Sequence, residues 1–305
     1  MSNQIPSQYI LQYEDEMRLA YQFNGSKLEG LVRKGTNMGA GASPADYVGP
    51  MTANDNPSRL APTPNNSAAV TRRWVYPQFF DVGTIIAKQD VSRTFNGGSL
   101  QTGYSQAQGK AMARKKDDII MESLFITATT GQNAGSTTAF TAGNIIAHDY
   151  GASAATGCTI SKLIEAKRIL ESGGVDLELE TLNCLITSTD HAFLLKQIEI
   201  RSKDYNDKAQ LVDGYLRNYL GINFIHIDFQ NATYYPRAAA QMVNGSSERL
   251  VPLFAGSSVY LGEWQPIGLR SSEREDLSYA QQMYSWAECG ATRLQEAGIV
   301  QIICA

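Results

Sequence analysis

The stretch GTNMGAGASPADYVGPMTANDNPSRLAPTPNNSAA, residues 35–69, has the composition of a long loop. Its only charged residues are Asp46, Asp55 and Arg59. Loops of this length without structure of their own are uncommon inside a compact domain. The stretch is therefore either a disordered linker or an extended loop that is ordered by contacts outside its own domain, and we carry the second interpretation forward.

The segments on either side of this loop have clear patterns. Before it, residues 7–32 carry apolar side chains at helical spacing with charged residues between them, which predicts an amphipathic helical arm. The apolar positions are Tyr9, Tyr13, Met17 and Ala20 or Tyr21, and Leu28, Leu31 and Val32 could extend the arm after an interruption at Gly25. After the loop, residues 72–88 are rich in β-branched and aromatic residues, as strands are, with Pro77 at an edge or a bend. Residues 100–127 lack proline and predict a helix about 40 Å long.

The second half of the chain mixes short helices and strands. Thr159 or Ser161 is placed to cap a helix that ends at Ser172, before a pair of glycines. Further predicted elements are strands at residues 182–186, 220–229 and 250–261, a helix capped by Ser188, and two strands within 281–304 that flank a turn at 297–298. Because strands and helices do not alternate strictly, the sequence predicts an α+β fold with a mostly antiparallel sheet.

The composition narrows the functional class. The 305 residues are 43% hydrophobic and 18% charged, with a formal net charge of -4, so the chain lacks the basic surface that sequence-specific DNA reading requires. No stretch approaches the roughly 18 apolar residues of a membrane span. The four cysteines include no Cys-x-x-Cys pair, and we interpret them as buried free thiols in a reducing compartment. They are Cys158, Cys184, Cys289 and Cys304.

Catalytic and metal-binding patterns are sparse. The three histidines each lie next to or near an aspartate, as in His148-Asp149, Asp190-His191 and His226-Ile227-Asp228, and the last could supply two metal ligands from one strand. Such adjacency is common by chance, so structural histidines are the better interpretation. Nucleophile-elbow, zinc-protease and phosphate-loop motifs do not occur in the sequence. We therefore predict no catalytic, cofactor-binding or metal-binding residues.

One run of charged residues lies on the predicted long helix. The run KAMARKKDD, residues 110–118, could bind phosphate, but Asp117 cancels part of its charge and Arg114 can pair with Asp118 four residues on. We interpret it as a solvated or intersubunit helix face. Arg72 and Arg73, just after the long loop, are interpreted as loop anchors rather than DNA contacts.

Several short sequence patterns follow one another in a specific order along nearly the whole chain. They are Gln12-Tyr13-Glu14, Tyr21-Gln22 and Ser26-Lys27-Leu28, then Leu185-Ile186-Thr187-Ser188 and Phe193-Leu194-Leu195, then Asp213-Gly214-Tyr215-Leu216 and Leu220-Gly221-Ile222-Asn223-Phe224-Ile225, and finally Gly290-Ala291-Thr292-Arg293 and Gly298-Ile299-Val300-Gln301-Ile302 as a closing hairpin. In this order they resemble one large group of phage coat proteins that have the capsid fold named after phage Hong Kong 97.

The resemblance implies a division of the chain. It implies an N-arm at residues 1–33, an extended E-loop at 34–75, a peripheral P-domain at 76–150 and 270–305 with a spine helix at about 100–127, and an axial A-domain at 151–269. Charge and position mark six candidate intersubunit contacts. These are Arg72, Arg73, Asp90, Arg93, Arg114 and Asp118.

The function implied is that of a major capsid protein, which assembles as hexamers and pentamers into the icosahedral shell of a tailed phage and is not an enzyme. The implied partners are a scaffolding protein, a portal, a possible decoration or cement protein, and packaged DNA through non-specific contacts only, with assembly in the bacterial cytoplasm. Residues 35–86 contain no lysine, so we expect no covalent cross-link through the loop, and we also expect no maturation cleavage. We hypothesise that neighbouring subunits order residues 1–33 and 35–70.

Three alternatives remain. An encapsulin-like nanocompartment shell has the same fold and encloses enzymes, a decoration or tail protein would be another structural role, and a hydrolase would need an activity that depends on His191.

Overall fold

A computed structural model describes residues 26–39, 43–55, 65–89, 97–131, 133–152, 154–197, 211–212, 215–245 and 248–305. The predicted arm at residues 7–32 lies outside this range up to residue 25. Its described end is a turn and not a helix, because the carboxylate of Asp117 accepts hydrogen bonds from the backbone N–H groups of Lys27 and Leu28 at 3.2 and 3.1 Å. Extension of the arm helix through Leu28 was therefore a wrong expectation, and Leu28 is instead fully buried in the core.

The described residues form helices and strands that we number in chain order. The helices are α1 (Gly97–Phe125), α2 (Ile160–Ser172), α3 (Ser188–Lys196) and α4 (Pro236–Met242). The first strands are β1 (Arg33–Thr36), β2 (Ser43–Val48), β3 (Val70–Val75), β4 (Gln78–Ile86), β5 (Ala128–Thr130), β6 (Ser136–Thr138), β7 (Ile145–Ile146) and β8 (Leu182–Ile186). The remaining strands are β9 (Leu211–Val212), β10 (Tyr215–Leu216), β11 (Asn218–Tyr219), β12 (Ile222–His226), β13 (Arg249–Ala255), β14 (Val259–Arg274), β15 (Ala280–Arg293) and β16 (Ile299–Cys304).

The long helix and a four-stranded sheet form one half of the molecule. The sheet has the order β1-β14-β15-β4, and the antiparallel pair β14 and β15, 16 and 14 residues long, makes up most of it. Helix α1 packs on one face, where Gln108 donates a hydrogen bond to the Thr84 hydroxyl at 2.9 Å. The helix predicted at residues 100–127 is confirmed, with both ends within three residues of the prediction.

The other half is built on a six-stranded sheet of order β11-β12-β8-β13-β16-β7. Strand β8 is buried at every position, as its apolar sequence LNCLI requires. Strands β11 and β12 are joined by Leu220 and Gly221, which both have positive φ, as a two-residue hairpin turn needs. Helix α2 begins after Thr159, whose side chain accepts the N–H of Lys162, so the predicted cap is confirmed. Helix α3 is capped by Thr187, one residue before the predicted Ser188.

The two sheets divide the chain differently from the predicted domains. Strand β16 lies between β13 and β7 in the six-stranded sheet, so residues 299–304 do not join the strands of the other half. For the same reason β15 and β16 are not partners in a closing hairpin. A boundary at residue 269 would also cut β14, which runs unbroken except for local irregularities. The predicted strand at 250–261 is two strands, separated by a 3-10 turn at Gly256–Ser258.

The long loop is partly a β-hairpin. Strands β2 and β3 pair from Ser43 opposite Val75 to Val48 opposite Val70, and β3 continues through β5 to β6 in a third sheet. Tyr76 and Pro77 separate β3 from β4, so Pro77 lies at the predicted bend.

A buried lysine ties three parts of the six-stranded half together. The Lys162 side chain is fully buried, and its Nζ donates to backbone carbonyls of His148, Thr156, Gly157 and Ile303 at 2.8–3.1 Å. A buried ammonium is tolerated only when such acceptors replace its water. Lys162 therefore fixes the start of α2 to the loop before it and to β16.

The four cysteines are free and buried, as predicted. Burial raises the pKa of the Cys184 thiol, and it raises that of Cys289 to about 12, so both are protonated at neutral pH. In the described part of the chain, no helix combines the length and apolar character needed to cross a membrane.

Candidate intersubunit surface

The hairpin of β2 and β3 projects one of the predicted contacts into solvent. Arg72 makes a two-bond ion pair with Asp46, directly opposite on β2, with N to O distances of 2.7 and 2.8 Å. This hydrogen-bonded partner lowers the pKa of Asp46 and raises that of Arg72. Both side chains remain more than a third exposed, so a neighbouring chain can reach them.

Arg73 points to the opposite face of the same strand and is 2% exposed. Its guanidinium donates to the Leu294 carbonyl at 3.2 Å and to the Glu296 carboxylate at 3.1 Å. The interpretation of Arg73 as a loop anchor therefore agrees with its contacts. As a candidate intersubunit contact it fails, because its charge is used inside the chain.

Large apolar side chains lie exposed along the hairpin and next to it. Val48 and Val70, which face each other at the open end of the strand pair, are 65% and 66% exposed. Met51 and Met38 are 61% and 90% exposed. Clustered exposed apolar residues mark interaction sites on soluble proteins. The hairpin thus combines a fixed base at Arg73 with an uncovered apolar end.

The charged run on α1 turns inward at its end, contrary to the interpretation of a solvated or intersubunit face. Lys116 is 3% exposed and pairs with Glu263 at 2.8 Å, and Asp117 holds the turn that precedes β1. Asp118 is fully buried and accepts N–H bonds from Arg237 and Ala238, at 3.1 and 2.9 Å, at the start of α4. Asp118 therefore offers no exposed atom to a neighbour, and its ion-pair partner is Lys115 rather than Arg114.

Of the other candidates, Arg114 is half-buried, with its guanidinium carbon 4.9 Å from the centre of the Tyr234 ring. Tyr234 is 53% exposed, so this pair does reach the surface. Asp90 and Arg93 lie outside the described residues.

Replacing Asp118 by alanine is expected to lower the free energy of unfolding by about 3 kcal/mol. The change removes a charged acceptor and leaves two N–H groups of α4 without partners in the interior, each worth about 1–3 kcal/mol. Urea unfolding followed by circular dichroism measures the loss. Lys110→Met, at an exposed position of the same helix, should cost less than about 1 kcal/mol. Equal losses in the two variants would contradict the capping role of Asp118.

The outer face of the four-stranded sheet is a second apolar surface, which sequence patterns did not single out. It lies opposite α1 and carries Phe79, 57% exposed, and Ile85, 47% exposed, on β4. On β15, the Tyr284 and Trp286 rings stack with their centres 5.4 Å apart. Trp286 lies against Gly268, where a Cβ atom would come within 2.4 Å of the indole, so only glycine fits. Strand alternation in residues 78–86 was the signal that could have revealed this face.

The described residues contain no group of three or more His, Cys, Asp or Glu side chains that could hold a metal ion. His148 pairs with Glu248 at 3.2 Å, while Asp190 is buried and bound by Arg249 at 3.0 Å. His148 and Asp190 therefore have structural partners other than their Asp or His neighbour in the sequence.

Comparison with known proteins agrees with this picture. Residues 5–305 match the model of a family described as phage capsid protein. The capsid of Cyanophage P-SCSP1u is similar, with a TM-score of 0.69 at 15% identity over 92% of this chain and 89% of that one. The head structure of Helicobacter pylori bacteriophage KHP40 has a TM-score of 0.66 at 10% identity, over 90% and 88%. A virus-like particle from Pyrococcus furiosus has a TM-score of 0.55 at 10% identity, over 97% and 99%. No curated protein matches the chain.

Proposed function

The chain belongs to the phage capsid protein family, and we propose that as the major capsid protein it builds the icosahedral shell around the packaged double-stranded DNA of a tailed phage. The family match over nearly the whole chain confirms the resemblance drawn from the sequence, and the structural neighbours confirm the fold class. The observation that carries the proposal within the chain is the β2–β3 hairpin. A globular protein gains nothing from a projecting strand pair with exposed valines, whereas a shell subunit gains interface area with its neighbour.

The arrangement of the two halves supports an assignment of domains. We assign the six-stranded sheet, with β16 included, to the axial domain that meets its copies around pentamer and hexamer axes. The four-stranded sheet and α1 form the peripheral domain, with all of β14 included. Individually weak contacts become strong in such a lattice because each subunit engages several neighbours at once.

Two of the six candidate contacts remain in this proposal. Arg72 is available with its partner Asp46 on the hairpin, and Arg114 is available beside the exposed ring of Tyr234. Asp90 and Arg93 stay predictions from the sequence.

The partners of the shell are proposed on the same basis. They are a separate scaffolding protein, a portal, a possible decoration protein, and DNA held without sequence-specific contacts, which suits a chain of net charge -4. Assembly takes place in the bacterial cytoplasm, and the role is structural rather than enzymatic. An encapsulin-like compartment is the second candidate, since the Pyrococcus particle has the same fold. Neighbouring terminase and portal genes, rather than a gene for a cargo enzyme, would decide between the two.

Expression of the full chain, with and without the product of the adjacent upstream gene, tests the proposal. We expect closed particles of uniform diameter in negative-stain electron micrographs, with more of them when the upstream protein is a scaffold. A chain that stays monomeric or forms only irregular aggregates under both conditions, although folded by circular dichroism, would contradict a role as a shell subunit.

A further inference from the structure

Two histidines hold both backbone polar groups of one buried residue, Leu216. The Leu216 N–H points at Nε2 of His191 on α3 at 3.3 Å, and the Leu216 carbonyl lies 3.2 Å from Nε2 of His226 on β12. Leu216 is fully buried and belongs to the small β9–β10 hairpin. Backbone N–H groups only donate and carbonyls only accept, so His191 must be unprotonated at Nε2 and His226 must carry a proton there.

The ring contacts reinforce this arrangement. The two imidazoles meet edge to face with their centres 4.6 Å apart. Tyr215, the residue before Leu216, stacks on His191 at 5.7 Å and meets His226 edge to face at 5.2 Å. The hairpin is therefore fastened by Tyr215 and Leu216, which contact both imidazole rings.

We propose that His191 and His226 form a proton-controlled latch, which holds the β9–β10 hairpin on the six-stranded half at neutral pH and releases it in acid. A proton on Nε2 of His191 turns the acceptor that the Leu216 N–H has among the described residues into a second donor. A positive charge on His191 also faces His226 across the edge-to-face contact. Protonation thus removes one hydrogen bond and sets two N–H donors against each other at the same place.

The charged groups described around the latch do not take the place of His191 as the acceptor for the Leu216 N–H. Asp190, next to His191 on α3, is bound by Arg249 of β13 and by the Thr187 hydroxyl. Lys27 donates to the backbone carbonyl of His226 at 2.8 Å and so adds positive charge beside that ring. On β10 the titratable neighbour is the phenol of Tyr215.

The direction of the pH effect follows from the pKa of His191 in the folded protein. Burial, and then the neighbouring His226, lower the pKa of His191 below its ordinary value of about 6.5. The unfolded or released state then binds more protons than the latched state between that lowered pKa and about 6.5. The latch therefore contributes its full stability above about pH 6.5 and loses it as the pH falls through this window.

Amide exchange of Leu216 in the unassembled full chain tests the latch, whether or not the chain forms shells. Rates at pH 7.5 and 5.0, each divided by the intrinsic exchange rate, should show protection falling by up to about tenfold per pH unit within this window. His191→Gln keeps a neutral acceptor at the same position, so its Leu216 amide should stay protected at both pH values. His148→Gln removes the third histidine, which lies elsewhere, and should respond to acid as the parent does.

The outcome that would overturn the proposal is a His191→Gln protein whose Leu216 amide loses protection in acid as much as the parent. A second variant guards against misfolding of the first. His226→Gln keeps a donor for the Leu216 carbonyl but removes the ring that helps to lower the pKa of His191, so the midpoint of release should move to higher pH. A midpoint that stays or falls would overturn the coupling of the two rings.

Discussion

Replacement of Lys162 by methionine is expected to lower the free energy of unfolding by about 3–5 kcal/mol, because methionine fills a similar volume but donates no hydrogen bond. Four carbonyls, those of His148, Thr156, Gly157 and Ile303, would lose their common donor in a site with no solvent access. The melting temperature should fall by roughly 10 °C. Differential scanning calorimetry or urea unfolding of the unassembled chain measures the change.

Lys167 supplies a matched control for this experiment. It lies on the same helix, and its Nζ donates to one carbonyl, that of Leu220, at 3.1 Å on the surface. Lys167→Met should therefore cost less than about 1 kcal/mol. A Lys162→Met protein as stable as Lys167→Met would show that the buried ammonium contributes no more than its apolar stem.

Shortening the β2–β3 hairpin should abolish shell formation while leaving the subunit folded. Strands β2 and β3 end at Val48 and Val70, which face each other, so a two-residue Asn-Gly turn can replace residues 49–69 without changing their register. The described part of this segment makes its hydrogen bonds internally, as between Asn54 and Asn66 at 3.0 Å, so its removal should alter the unfolding free energy by less than about 1 kcal/mol. We expect at least a tenfold loss of particles in sedimentation and negative-stain images.

A milder variant separates the loop from the apolar strand ends. Val48→Ser combined with Val70→Ser keeps the full loop but removes two exposed apolar side chains, and it should weaken assembly less than the truncation does. Particles of the shortened chain that match the parent in number and thermal resistance would show that the hairpin is not an interlocking element.

Local sequence patterns predicted those helices that depend only on residues within them or directly beside them. Helix α1 follows from an uninterrupted run without proline, and helix α2 follows from a capping threonine and a terminal pair of glycines. The fold class followed from the order of such elements. The pairing of strands did not follow from this order. The partners of β16 are β13 and β7, and nothing in the sequence IVQIIC indicates which of the two sheets the strand joins.

Charged residues were the least predictable part of the candidate surface. Lys116, Asp117 and Asp118 look like an exposed helix face, yet each is buried and has a partner far away in the sequence. Arg72 and Arg73 are adjacent and chemically identical, but strand alternation sends one to solvent and the other to Glu296. Charge and position alone cannot separate such residues, since burial depends on which distant segment covers them.

The place of β16 in its sheet also affects the order in which the polypeptide can fold during synthesis. Strands β8 and β13 leave the ribosome before β16, yet β16 is the strand that covers the second edge of β13. The β14–β15 hairpin and α1 are complete earlier and have their partners at hand. The six-stranded sheet therefore cannot be completed before residues 299–304 have been synthesised.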